Sequence, residues 1–215
     1  MALFHLSVTQ TKRSAGQSAI ASAAYRAGER LYSEYYGEYS DYTRKGGVIC
    51  SDILLPSHAP PEYADRQTLW NAVEKAERGK NAQLAYRFDI ALQNEFSLEE
   101  NIALARQFLL ENFVSRGMVV DFAVHQPDRE DGGIPNPHFH VLCPTYTPVR
   151  AFRTGVFCCS KNFLKKFQKI FGVFQKRRIA PRKGGSTTNF PTRKTCYNPL
   201  LRFKQHYIQE EDKIH

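Results

Sequence analysis

A chain of 215 residues, 42% hydrophobic and 13% aromatic, suffices for one cored domain, or one domain with an appendage. No run of about 18 apolar residues occurs, which excludes a membrane-spanning helix, and the opening MALFHLSVTQ lacks the charged start and apolar run of a signal peptide. Five cysteines with no CxxC pair point to a reduced, cytoplasmic protein and away from a secreted disulfide scaffold.

The net charge of +9 is unevenly placed. Residues 1–149 carry 14 Lys/Arg against 18 Asp/Glu, residues 150–215 carry 16 against 3, and no acidic residue lies between Asp131 and Glu210. The change of composition divides the chain into a main domain, 1–149, and a basic extension, 150–215. Such a block reads as a nucleic-acid-binding arm, a basic tail, or both. Binding through phosphates would weaken steeply with added salt.

The elements follow in chain order. Residues 2–9, ALFHLSVT, alternate as a half-buried strand, with Phe4, Leu6 and Val8 on one face and Leu3, His5 and Ser7 on the other. After the polar turn TKRSAGQ, SAIASAAYRAGERL is rich in helix formers and free of proline. Residues 32–46, with five tyrosines (Tyr32, Tyr35, Tyr36, Tyr39, Tyr42), read as a polar loop. A second strand is expected at about 47–55, closed by Pro56, and a helix around 65–78 with Leu69, Trp70, Val73 and Ala76 at helical spacing. Residues 84–92, LAYRFDIAL, alternate again, setting Phe88, Ile90 and Leu92 against Arg87, Asp89 and Ala91. Ser97 and Glu100 form a capping box that opens a helix, and Gly117 is suited to end it. Residues 118–125, MVVDFAVH, place Asp121 and His125 opposite Val120, Phe122 and Val124. A turn-rich loop, QPDREDGGIPNP, returns the chain into HFHVLC, where Phe139 and Val141 oppose His138, His140 and Leu142. Beyond about residue 150, KNFLKKFQKIF has the pattern of a basic amphipathic helix, and PRKGGSTTNFPTRK reads as loop.

Each strand thus pairs an apolar face with a face bearing a polar or ionisable residue. Antiparallel sheets tolerate that asymmetry, whereas buried parallel strands are apolar throughout. The expected fold is α+β, a mainly antiparallel sheet with helices on one face and an open functional face on the other.

A strand period of two puts His138 and His140 on one face. His125 ends the preceding strand, and a hairpin through 126–137 would bring it alongside. Three imidazoles on one face make a plausible three-ligand metal site with positions left open for a substrate oxygen. Composition leaves zinc, manganese and other imidazole-binding metals open. Asp89 and Asp121, on the matching face of their strands, are candidates for an added ligand or for a partner that orients a histidine.

NPHFHVL, preceded by MVVDFAVHQPD, resembles the metal-binding motif of the MobA/MobL plasmid-mobilisation relaxases, members of the HUH endonuclease superfamily. SAIASAAYRAGERLY, DYTRKGGVICSDILLP, HAPPEYADRQTLWNAVEKAE and NAQLAYRFDIALQNEFSLEENIALARQFLLENFVSRGMVVDFAVH resemble further family segments in family order, over roughly residues 1–145. The resemblance implies a five-stranded antiparallel HUH sheet and a cytoplasmic, bacterial, metal-dependent endonuclease that nicks one DNA strand at a transfer origin and can religate it. It places the nucleophile at Tyr25, in AAYRAGE, and the metal ligands at His125, His138 and His140. It also implies manganese or magnesium as cofactor, with zinc compatible. Implied partners are single-stranded and hairpin DNA at the origin, accessory mobilisation proteins and a coupling protein, with no membrane.

Residue chemistry alone does not select Tyr25 among eleven tyrosines. Asp89 is a candidate base or metal neighbour, and His5 a substrate contact or a partner that supports the histidine group. Arg26, Arg30, Arg44, Lys45 and Arg87, with Lys176, Arg177 and Arg178 of the extension, are candidate DNA contacts, since cationic and aromatic side chains suit single strands. Two departures stand out. Where the family commonly has an arginine–glutamate pair before its strand, this chain has Tyr86 and Arg87 and keeps only Asp89; beyond about residue 150 the family motifs are no longer visible. The competing reading is a truncated, noncatalytic origin-binding remnant, which would bind DNA without forming a covalent adduct. A hydrolase of small phosphoesters fits the basic extension poorly.

Overall fold

The structure is a computed structural model that describes residues 5–127 and 136–145. The basic segment, with Lys176, Arg177, Arg178, the expected amphipathic helix and the boundary at 149, lies outside the described residues. Five strands form one antiparallel sheet in the order β1 (Leu6–Lys12), β5 (Gln83–Ala91), β7 (His138–Pro144), β6 (Val120–His125), β4 (Val48–Leu54). The α+β class and the five-stranded antiparallel sheet agree with the sequence reading. β1 reaches Lys12, into residues read as a turn, because Thr9 and Thr11 continue the ladder opposite Arg87 and Ala85.

Residues 32–46 are more ordered than a polar loop. β2 (Arg30–Ser33) and β3 (Glu38–Asp41) pair as a separate antiparallel hairpin, joined through Gly37 at φ 70°. Its strands are short and largely polar, so the apolar alternation that marks the other strands is absent. The hairpin is held from outside: Gln67 accepts from the Tyr32 amide at 2.8 Å, and Asn71 accepts from the Glu34 amide at 3.0 Å.

The helices divide between the two faces of the sheet, which corrects the expectation of helices on one face and an open face on the other. α3 (Leu98–Asn112) opens with both arms of the Ser97/Glu100 capping box. It covers the face of Phe88, Phe122, Phe139 and Val141, with Phe108 and Phe113 packed edge-on against Phe139 and Phe88. A 3₁₀ turn at Val114–Arg116 then carries the chain to Gly117 at φ 81°. α1 (Ala19–Ala27) and α2 (Arg66–Ala76) lie on the opposite face, over Ala85, Leu142 and Ile53, where Ile20, Leu69, Trp70 and Val73 form the core. The buried side of α1 is Ala19, Ile20, Ala23, Ala24 and Ala27; such small side chains let its backbone approach the sheet closely. Among the described residues no helix is long and apolar enough to cross a membrane.

Two charged residues hold α1 and α2 together. Glu74 of α2 is buried and accepts from the Ala19 and Ile20 amides at 2.7 and 3.3 Å and from the Ser18 hydroxyl at 2.8 Å, so a side chain of α2 satisfies the open amides of α1. Arg13, in the turn before α1, donates to the carbonyls of Glu74, Glu77 and Gly79 at the same C-terminal end of α2.

Asp121 is anchored in the same way. Its carboxylate accepts from Arg66 Nε and Nη2 and from Trp70 Nε1 at 2.8–3.1 Å, and Arg66 also pairs with Glu29. This corrects the sequence reading of Asp121 as a ligand or histidine partner. Strand period fixes its face, but α2 occupies that face at its end of β6, so the carboxylate meets Arg66 and not an imidazole. Removing one partner of a buried pair leaves the other uncompensated. Asp121→Ala is therefore expected to lose about 3–5 kcal/mol of stability, read as a lowered urea midpoint; an unchanged midpoint would contradict the anchor.

Candidate metal centre

β7 is the central strand, with β5 on one side and β6 on the other, and the ladder brings His125 opposite His138 and Ala123 opposite His140. Asp89 of β5 stands opposite His140. The three imidazoles meet with ring centroids 4.5–5.6 Å apart. Their candidate ligand nitrogens all lie within 4.8 Å of one another, close enough to converge on one ion. Phe139, fully buried against α3, fixes which way its two histidine neighbours point.

Each histidine has one ring nitrogen tied to an oxygen acceptor. His125 Nε2 donates to the Arg26 carbonyl at 2.6 Å, His138 Nδ1 to the Asn136 carbonyl at 2.8 Å, and His140 Nδ1 bonds to Asp89 Oδ1. Those bonds fix tautomer and ring orientation, leaving His125 Nδ1, His138 Nε2 and His140 Nε2 with lone pairs for a metal. Burial pushes the His125 imidazole down to about 4, helped by His140, Lys45 and His138. Burial also lowers His140, partly offset by Asp89. Both rings are therefore neutral near pH 7, the form that binds a metal. A three-imidazole donor set with these orientations fits a divalent ion.

Asp89 is the carboxylate that orients His140. Burial works against its charged form, but the bond from His140, with Arg26 and Arg87, outweighs that and holds it below the usual range. Asp89→Asn is expected to weaken divalent-ion affinity about 10–100-fold while leaving the fold intact, as measured by calorimetric titration; unchanged affinity would remove Asp89 from the site.

Tyr25, 46% exposed, lies on α1 next to Arg26, the residue whose carbonyl holds His125. Thus the helix carrying the tyrosine is bonded directly to the histidine group. The Arg26 head group lies over the sheet, where burial lowers its pKa and Asp89 and Asp121 pull the other way; its Nη1 donates to the Ser22 carbonyl at 3.0 Å. Lys45 joins the same region, its Nζ donating to the Tyr25 carbonyl at 2.9 Å and standing 3.7 Å from the Tyr25 ring centroid. Sequence reasoning assigned Lys45 to DNA and had no signal for this contact, which depends on how the hairpin folds back over α1.

The other candidate residues are more scattered. Arg87 is on the histidine face and donates to Thr9 Oγ1 at 3.0 Å. Arg30 sits on the hairpin, 4.3 Å over the Tyr39 ring, and Arg44 is exposed in the turn after it. His5 is exposed at the start of β1, outside the histidine group.

The fold and site define an α+β protein with a three-histidine group that could hold a metal ion, on two adjacent antiparallel strands and beneath a tyrosine-bearing helix. The chain belongs to the MobA/MobL family, whose model matches residues 17–198. The match runs past residue 150, where the visible motifs stop, and so corrects the expectation that the resemblance ends there. The chain is 38% identical over 142 residues to "Probable mobilization protein MobA" of Bifidobacterium longum, covering 66% of this chain and 24% of that protein. It is 40% identical over 134 residues to "Mobilization protein MobL" of Acidithiobacillus ferridurans, covering 60% of this chain and 35% of that protein. With "Conjugal transfer protein TraA" of Rhizobium radiobacter it shares 38% identity over 152 residues, 66% of this chain and 13% of that protein. The aligned part thus spans about a third or less of these relatives. A solved structure described as "Molecular Basis of Vancomycin Resistance Transfer in Staphylococcus aureus" superimposes with a TM-score of 0.66 and 28% identity, covering 87% of this chain and 100% of that one.

Proposed function

We propose that this chain is the DNA-nicking part of a relaxase, which cuts one strand at a transfer origin and initiates conjugative mobilisation from the bacterial cytoplasm. The observation that carries the reading is the group His125, His138 and His140, bonded through the Arg26 carbonyl to the helix that presents Tyr25. Membership of the MobA/MobL family and the mobilisation and conjugal-transfer names of the relatives support the same reading.

His125, His138 and His140 would hold a divalent ion, manganese or magnesium first and zinc also compatible with the donors. Neutral imidazoles would leave such an ion its full positive charge, and it would supply Lewis-acid stabilisation for the scissile phosphate. Tyr25 attacks phosphorus: the Oη–P bond forms and the P–O3′ bond breaks. The tyrosine then carries the 5′ end, and the leaving oxygen takes a proton to become a free 3′-hydroxyl. Because one ester replaces another, the reverse step rejoins a strand. Asp89 keeps His140 aligned through Nδ1 and holds negative charge beside the site. Arg26, Arg87, Arg30 and Arg44 supply positive charge around it for the DNA backbone.

The test uses a supercoiled plasmid carrying the DNA that flanks the chain's own coding sequence. With manganese, the protein is expected to give open circles and an SDS-resistant protein–DNA adduct on the 5′ end of the nick. Binding of the same DNA with neither nick nor adduct would establish the noncatalytic remnant instead.

A further inference from the structure

We infer that Lys45 is a positioning residue for Tyr25, set over the tyrosine ring to steady it in the attacking orientation and to offset negative charge on it in the transition state. This rests on the proposed nucleophilic role of Tyr25 and adds a second residue to that step.

The turn after the hairpin holds Tyr25 from several sides. Tyr42 packs edge-on against the ring with centroids 5.3 Å apart, and Lys45 covers a face at 3.7 Å while its Nζ donates to the Tyr25 carbonyl. The turn is itself anchored. Asp41 accepts from the Thr43 amide and hydroxyl at 3.0 and 2.8 Å, the Tyr42 amide donates to the Glu29 carbonyl, and the Lys45 amide to the Tyr42 carbonyl. Downstream, the Gln126 amide donates to the Gly47 carbonyl at 2.9 Å, tying the turn to the residue after His125. Gly47 has φ +78°, and a Cβ there would meet Pro127 Cα at 3.1 Å, so the junction requires glycine. The lysine is thus delivered to Tyr25 by a fixed backbone, at the edge of the histidine group.

A cation over an aromatic face is attracted by the ring's electron density. The attraction strengthens as the phenol loses its proton, because the charge of a phenolate spreads into the ring. An interaction stronger in the transition state than in the ground state raises the rate of the chemical step and leaves DNA affinity nearly unchanged. A lysine that only bound phosphate would show the opposite split.

Two measurements on the full chain test this. In protein with ¹³C-labelled tyrosine rings, the Tyr25 resonance is the one absent from Tyr25→Phe. Lys45→Met is expected to shift it and leave the Tyr35 and Tyr36 signals in place; an unmoved Tyr25 signal would overturn the inference. In single-turnover nicking of the plasmid used above, Lys45→Met is expected to slow cleavage about 2- to 30-fold, with DNA affinity within about twofold and the circular dichroism melt unchanged. Lys45→Arg, which keeps the charge, is expected to recover most of the rate. Wild-type cleavage by Lys45→Met, or a loss confined to DNA affinity, would overturn the inference while leaving Tyr25 as nucleophile. Wild-type cleavage by Tyr25→Phe, in contrast, would refute the underlying reading.

Discussion

Tyr25→Phe is expected to abolish nicking, by at least about a thousandfold, while binding origin DNA as the wild type does. The substitution removes one oxygen from a half-exposed side chain on α1. Ser18 and Glu74 still cap that helix, and Ala19, Ile20, Ala23 and Ala24 still bury it, so the fold has no reason to change. The ring also remains, and with it the contacts of Tyr42 and Lys45. Only the attacking atom is lost. Retention of DNA binding by gel shift, with no open circles, is the expected pair of results; full nicking would assign the attack to another group.

The second large effect concerns the ion. Wild-type protein dialysed against manganese is expected to retain one ion per chain, and the double variant His138→Ala, His140→Ala to retain much less, since two of three ligands are gone. Metal at about a hundred times its dissociation constant stabilises the native state by about 2.7 kcal/mol, so added metal raises the wild-type melting temperature and a chelator lowers it. The double variant should respond to neither. A metal-dependent shift that survives in that variant would place the ion elsewhere.

Much of the sheet was legible in the sequence because the pleat has a period of two. Phe88, Phe139 and Val141 announced one face, and Asp89, His138 and His140 the other, as the ladder confirms by setting Asp89 opposite His140. The helix caps were also readable, from Ser97 and Glu100 above all. Periodicity does not reveal how far along a face a helix extends. Asp121 and His125 share a face of β6, yet one is held by Arg66 and Trp70 and the other joins the histidine group. The β2–β3 hairpin was hidden for a related reason, since its register depends on Gln67 and Asn71 of α2 more than on apolar alternation. Nothing in the sequence marks Glu74; its burial against the start of α1 is a tertiary event. Tyr25 was singled out by family resemblance alone, and the contact of Lys45 with it became visible only with the turn in place.

The covalent bond from Tyr25 to phosphorus is the central step of the proposed reaction. Digestion of the trapped protein–DNA adduct, followed by mass spectrometry, is expected to yield a single modified peptide bearing a nucleotide phosphate on Tyr25. An adduct on Tyr35, Tyr36, Tyr39 or another tyrosine, or cleaved DNA with no protein attached, would contradict it.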